Sequence, residues 1–203
     1  VTRGGNENDD IFFQGKEAAN LNYEAVADVV ADYMKKVSEH TGRDYAPFTY
    51  YGAKDATRVI VAMGSVCETI EETVDKLNEM GEKVGLVKVH LYRPFSVKYL
   101  LKVLPETVKK VAVLDRTKEI GTREPLYLDI REALHHHPEI TIIGGRYGLG
   151  SKDTQPNQIK AVYDELNKAE PKEEFTIGIN DDVTHLSLSV DPSFHTDADY
   201  SSC

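Results

Sequence analysis

The stretch TRVIVAMGSVCETIEETVDKLNEMGEKVGLVKVHL, residues 57–91, decides the fold. Its first part, TRVIVAMGS (57–65), is a short apolar run closed by a glycine, the pattern of a strand buried on both faces. The period then changes. Ser65 stands where a helix N-cap belongs, Glu68 follows three residues later as a capping box requires, and Gly81 is placed to end the helix. Lys83 to Leu91 returns to a strand pattern. Strand, helix and strand at this spacing make a βαβ unit, because parallel neighbours need a crossover of helical length.

The alternation continues toward the C-terminus. YRPFS turns the chain, Ser96 is placed to cap a helix over SVKYLLKVL, and Pro105 ends it. Lys110 to Leu114 reads as a third strand. EPLYLDIREALHH reads as a helix, with Leu126, Ile130 and Leu134 at four-residue steps. Ile140 to Ile143 is a fourth strand, Thr154 a candidate cap for a helix carrying Ile159, Val162, Tyr163 and Leu166, and Phe175 to Ile179 a fifth strand. The fold class is therefore α/β: a mostly parallel five-stranded sheet with helices on both faces, spanning 21–180.

Two extended arms flank that domain. Residues 1–20 are polar and glycine-rich around the apolar patch Ile11, Phe12 and Phe13, as expected of an arm packed on something. Residues 181–203 are polar and lack a usable period, which suggests a linker toward a neighbour. Between the first arm and the βαβ series, Tyr23, Val26, Val30, Tyr33 and Val37 recur at three and four residues. They predict an amphipathic helix closed by Gly42 as its left-handed C′ residue.

Composition excludes several functions. The net charge of −10 over 203 residues opposes general nucleic-acid binding, which needs a basic surface. No apolar run approaches the roughly 20 residues of a membrane span, and no signal peptide is visible. Cys67 and Cys203 form no CxxC pair, which argues against a zinc or iron–sulfur site built from this chain and points weakly to a reducing compartment. The chain begins at Val1 rather than Met, as a processed or cut piece would.

In an open parallel sheet, ligands favour the carboxyl ends of the strands. There the sequence places Gly64 and Ser65, then Arg93, then Asp115, Arg116 and Lys118 with Arg123 beyond, then the loop GGRYGLGSK (144–152). Basic residues thus collect at one edge of an acidic protein. That pattern fits a small anionic ligand, an acidic surface of another domain, or loops that simply carry solvated charge. The 144–152 loop is not a Walker A sequence, since Ser151 precedes Lys152, and its glycines miss the GxGxxG spacing. His135, His136 and His137 are consecutive and cannot converge on one metal from a helix. Cys67, in the first turn of a helix, reads as packing. Asp181, Asp182 and His185 read as a capped turn. No Ser–His–Asp or paired-carboxylate arrangement stands out, and the chain reads as a module without a complete active site.

Several stretches in order, DIFFQGKEAAN, the run YYGAKDATRVIVAMGSVCETIEETVDKLNEMGEKVGLVKVHLYRPFS, VKKVAVLDRTKEIG, EPLYLDI, GGRYGLGSKD and FTIGINDDVTHLSL, resemble pyruvate:ferredoxin (flavodoxin) oxidoreductase over nearly the whole chain. The resemblance implies a large multidomain enzyme. It decarboxylates pyruvate oxidatively with thiamine diphosphate and Mg, passes electrons through 4Fe-4S clusters to ferredoxin or flavodoxin, and gives acetyl-CoA. This chain resembles that enzyme's second domain, similar to the C-terminal domain of transketolases, with its links to the first and third domains. The catalytic domains and cluster cysteines of the family are absent, so no cofactor is expected in this piece. EIGTRE (119–124) is shorter than the family pattern, which leaves Arg123 without a carried-over role. The resemblance implies packing against the other domains, support of a homodimer, and a lining for the coenzyme A approach; the clustering of charge makes Arg116, Lys118, Arg146 and Lys152 the candidates to face its phosphates or a neighbouring domain. A cytoplasmic or hydrogenosome-like location in an anaerobic source would follow. A free-standing module for a phosphorylated small molecule, or an adaptor acting through its polar arms, remains open beside it.

Overall fold

The computed structural model describes residues 5–196. Residues 197–203, the end of the stretch expected to be a linker, lie outside them, Cys203 included. The chain forms two compact units, 1–47 with 91–96, and 48–90 with 97–203.

Among the described residues, the larger unit forms a six-stranded sheet, one strand more than expected. Its strands are β1 (Phe48–Gly52), β2 (Arg58–Ala62), β3 (Val84–Val89), β4 (Lys110–Asp115), β5 (Thr141–Arg146) and β6 (Glu174–Thr176), in the order β1-β3-β2-β4-β5-β6. The extra strand is β1, which pairs antiparallel to β3 from Phe48 opposite Val89 to Gly52 opposite Gly85. Its FTYYG sequence is rich in aromatic and β-branched residues that suit a pleated, half-buried surface. As an edge strand buried only at Phe48, it shows neither an apolar run nor a strict alternation. The remaining neighbours are all parallel.

Helices α3 (Val66–Glu79), α4 (Val97–Val103), α5 (Pro125–Ala133) and α6 (Pro156–Asn167) connect the strands. α3 and α6 pack together on one face. Their Ile70, Val74, Ile159 and Val162 join Ile60, Leu86, Ala112 and Ile143 of the sheet in a single core. Val59, Val61, Val111 and Val113, at alternate positions of the same strands, are just as buried. The central strands are therefore covered on both faces, as their continuous apolar runs predict.

Local signals held in part. Gly42 and Gly81 end their helices at φ 71° and 91°. Ser65 forms no capping box, because its own backbone is already helical (φ −63°, ψ −25°) and the turn is made by Gly64 at φ 82°. Thr154 is not the cap of α6 either. Gln155 takes that place, Pro156 occupies the first turn, and the Gln158 side chain accepts from the Gln155 N–H at 3.4 Å. α5 stops at Ala133, so His135–His137 follow the helix, with the first two exposed.

The smaller unit corrects the N-terminal arm, which is helical rather than extended. α1 (Asp9–Ala18) starts at Asn8, whose side chain accepts from the Ile11 N–H at 2.9 Å. Asp9 and Asp10 in its first turn complement the helix dipole. α2 (Asn20–Thr41) is the expected amphipathic helix. The C-terminal segment finds its neighbour in its own sheet: Leu188 N–H donates to Thr176 O, Thr176 N–H donates to Leu186 O, both at 3.0 Å, and Leu188 and Phe194 are buried.

Candidate functional site at the carboxyl edge of the sheet

The loops after β4, β5 and β6 enclose a pocket of about 270 Å³. Tyr147, Leu149, Ile177 and Ile179 supply apolar walls, while Lys118, Arg146 and Lys152 line it from three positions of the sequence. Three of the four expected cations therefore do come together. Arg116 is exposed but does not line the pocket; its Nε–H donates to Gly148 O at 2.9 Å and braces the glycine turn.

The sequence explains how β5 delivers this loop. Gly144 and Gly145 are adjacent on a strand and so point to opposite faces. A Cβ on Gly144 would stand 2.7 Å from the Tyr127 ring of α5, and one on Gly145 would stand 2.1 Å from the Phe175 ring of β6. An aromatic ring lies directly on each side of the backbone, and only glycine admits both. Phe175 belongs to the core shared with α3 and α6, so α5 lies on the opposite face. Beyond Arg146 the chain enters the left-handed region at Gly148 (φ 65°), Gly150 (φ 62°) and Ser151 (φ 60°). Ser151 is the strained member, because its Cβ crowds the backbone there.

The four cations differ in what they can offer a ligand. Arg146 is buried, with 6% of its surface exposed, and Glu124 beside it is 1% exposed. One guanidinium nitrogen of Arg146 donates to both carboxylate oxygens of Glu124, at 3.3 and 3.4 Å, and to Glu174 Oε1. Arg123 extends the chain of charges, reaching Glu174 at 3.0 Å and Glu173 at 3.3 Å. Arg146 therefore ties the N-terminus of α5 to β5 and β6. Lys118 is half exposed and sits 3.8 Å from Glu124. Lys152 is exposed and has no ion pair among the described residues.

Asp115, the last residue of β4, is buried and accepts from the Leu126 and Tyr127 N–H groups at 3.0 Å. It thus fixes the start of α5. Burial pushes its carboxyl above the ordinary value, against the two N–H donors that favour the charged form. The pocket lies beside β5 and β6, away from the position between β2 and β4 where the strand order reverses and open α/β sheets usually bind ligands. Burial also pushes the Tyr147 phenol up to about 12 and the Cys67 thiol up to about 11. Neither ionises near neutral pH, and Cys67 is a packed thiol. Asp181 makes the expected capped turn, accepting from the Val183 and Thr184 N–H groups at 2.9 and 3.2 Å.

Glu174 gives a pH-dependent test of the clamp. Burial alone would raise its carboxyl, but the hydrogen bond and charge of Arg146, with Arg123 and Lys118, hold it below the ordinary 4.5. Its folded pKa lies below its unfolded pKa. The stabilisation is then present above pH 4.5 and is lost as the pH falls through the lower folded value. Glu174→Gln is expected to be less stable than wild type at neutral pH, with the gap closing below pH 4.5 in denaturant titrations. A gap independent of pH would contradict the pairing.

Residues 56–159 match the family model for pyruvate:ferredoxin oxidoreductase core domain II. The chain belongs to this family. It is 56% identical over 190 residues to a pyruvate-flavodoxin oxidoreductase of Klebsiella pneumoniae, covering 93% of this chain and 16% of that protein. It is 57% identical over 190 residues to the pyruvate:ferredoxin oxidoreductase of Moorella thermoacetica, with the same coverage. The chain thus spans about a sixth of the length of the curated relatives it matches. A solved 2-oxoglutarate:ferredoxin oxidoreductase from Magnetococcus marinus, with 2-oxoglutarate, coenzyme A and succinyl-CoA bound, aligns over 61% of this chain and 20% of its own. It does so at 20% identity and a TM-score of 0.44.

Within this core domain II, sequence reasoning found the basic edge but missed what holds it. Glu124 and Glu174 lie 22 and 28 residues from Arg146 and carry no motif. The strand-terminal Asp115 ahead of a Pro-initiated helix was the one readable signal, since an acidic side chain there is placed to cap.

Proposed function

We propose that this core domain II is a non-catalytic unit of a longer thiamine-diphosphate-dependent oxidoreductase. That enzyme would decarboxylate pyruvate to acetyl-CoA and pass electrons to ferredoxin or flavodoxin. One observation carries the reading: the chain aligns over 93% of its own length but only 16% of a pyruvate-flavodoxin oxidoreductase. In this reading the domain packs against other domains of the same polypeptide, within a cytoplasmic homodimer. The redox and thiamine chemistry belongs to the remainder of the polypeptide. A 4Fe-4S cluster needs four thiolates and the chain has two cysteines, while no three potential metal ligands cluster among the described residues.

The strand-end pocket is the surface we assign to the coenzyme A approach. Its apolar walls suit the amide chain of that ligand, and the exposed Lys118 and Lys152 suit its phosphates. Arg146 and Arg116 hold the loop rather than the ligand. In the complete enzyme, Lys152→Ala and Lys118→Ala are each expected to raise KM for coenzyme A about two- to five-fold, the range of a partly exposed charge pair. KM for pyruvate should not move. An unchanged KM for coenzyme A in both variants would remove this role while leaving the packing role intact.

A further inference from the structure

We propose that the helix pair α1–α2 is a docking surface for another part of the same polypeptide, and that the surface it meets is apolar with a basic rim. This rests on the reading above that the chain is part of a longer oxidoreductase. α1 has ten residues and buries none of them. Its Ile11, Phe12 and Phe13 are all more than half exposed, Phe13 at 67%. A helix shorter than roughly 12–15 residues is marginal in water even with good caps, and its stability comes from burying an apolar face. α2 repeats the pattern on a larger scale. Over 22 residues it buries only Ala27. Val29, Tyr33 and Val37, at four-residue steps, stand exposed and, with Val30, Met34 and Tyr45, wall an apolar groove of about 350 Å³. A contiguous stripe of this kind marks a partner surface, unlike apolar residues scattered singly.

Charge selects the partner. Across the two helices, residues 9–41, the chain carries seven acidic residues against Lys16, Lys35 and Lys36, so the pair as a whole is acidic. A complementary surface is therefore basic around an apolar centre, since like charges brought face to face are repelled. A second copy of this chain, at −10, is a poor occupant, and so is an anionic lipid surface. The curated relatives are about six times longer than this chain, so the remaining polypeptide is ample to supply the partner.

The test uses the full-length protein with Phe13→p-benzoylphenylalanine, prepared as an equal mixture of isotopically light and heavy populations and irradiated. The expected result is a same-isotope adduct to a peptide outside residues 1–203 that carries Lys or Arg. Adding Asp9→Lys and Asp10→Lys should lower its yield at least about three-fold at low salt. An adduct within residues 1–203, in either isotope combination, a mixed-isotope adduct, or no adduct overturns the proposal. The length of the unirradiated polypeptide separates the two readings. A product of only 203 residues removes the parent-enzyme reading, whereas a long product without the expected adduct removes only this docking surface.

Discussion

Arg146→Ala is expected to lower the unfolding free energy by about 3–5 kcal/mol, the cost of leaving a buried charge without its partner. The uncompensated group is Glu124, which is 1% exposed and would keep only Lys118, 3.8 Å away. The same substitution loosens the tie between α5, β5 and β6, so the fold should also become more sensitive to cleavage after residue 116. Combining Arg146→Met with Glu124→Gln removes both charges at similar volume and should recover most of the loss, because buried ion pairs are often replaceable as a pair. Denaturant unfolding of wild type and the two variants measures this directly. If Arg146→Ala were within about 0.5 kcal/mol of wild type, the cost of an ordinary surface substitution, the clamp would be wrong and Arg146 would return to the set of ligand-facing cations.

The second large effect is expected at Gly145. Gly145→Ala places a methyl group 2.1 Å from the Phe175 ring, which is fully buried and has no free direction in which to move. Overpacking of this kind costs about 1–3 kcal/mol, and Gly145→Val should exceed it. Phe175→Leu alone is destabilising through lost volume, but it should suppress part of the Gly145→Ala defect. The double variant is thus expected to be more stable than the sum of the two single changes allows. Strict additivity would mean that the ring does not hold the glycine. By contrast, Gly64 and Gly150 have open space at the Cβ position and positive φ, so substitution there strains only the backbone.

What was legible in the sequence follows the range of the interaction. The βαβ series, the covered central strands and the left-handed glycines at 42 and 81 depend on neighbours within a few residues, and the structure shows them. β1 was missed because an antiparallel edge strand takes its order from β3, some 40 residues on, and only Phe48 is buried. α1 was readable in principle from Asn8, Asp9 and Asp10, an N-cap with acidic residues behind it, but Gly15 and the surrounding polar residues suggested an arm. At the site, the clustering of Lys118, Arg146 and Lys152 followed from placing them after neighbouring parallel strands. Which of them faces solvent did not. Burial of Arg146 depends on carboxylates from α5 and β6 that are distant in sequence and local only in the fold. The 144–152 loop, whose glycines fit neither common phosphate-binding spacing, is best described as an arginine-clamped turn flanked by Lys118 and Lys152.

The central claim, that this core domain II is one part of a longer oxidoreductase, is tested most directly by the mass of the native gene product taken from cell extract under denaturing conditions. The account predicts a single polypeptide roughly six times the 203 residues described, in keeping with the 16% coverage of its relatives. A mature product of only about 203 residues would contradict it.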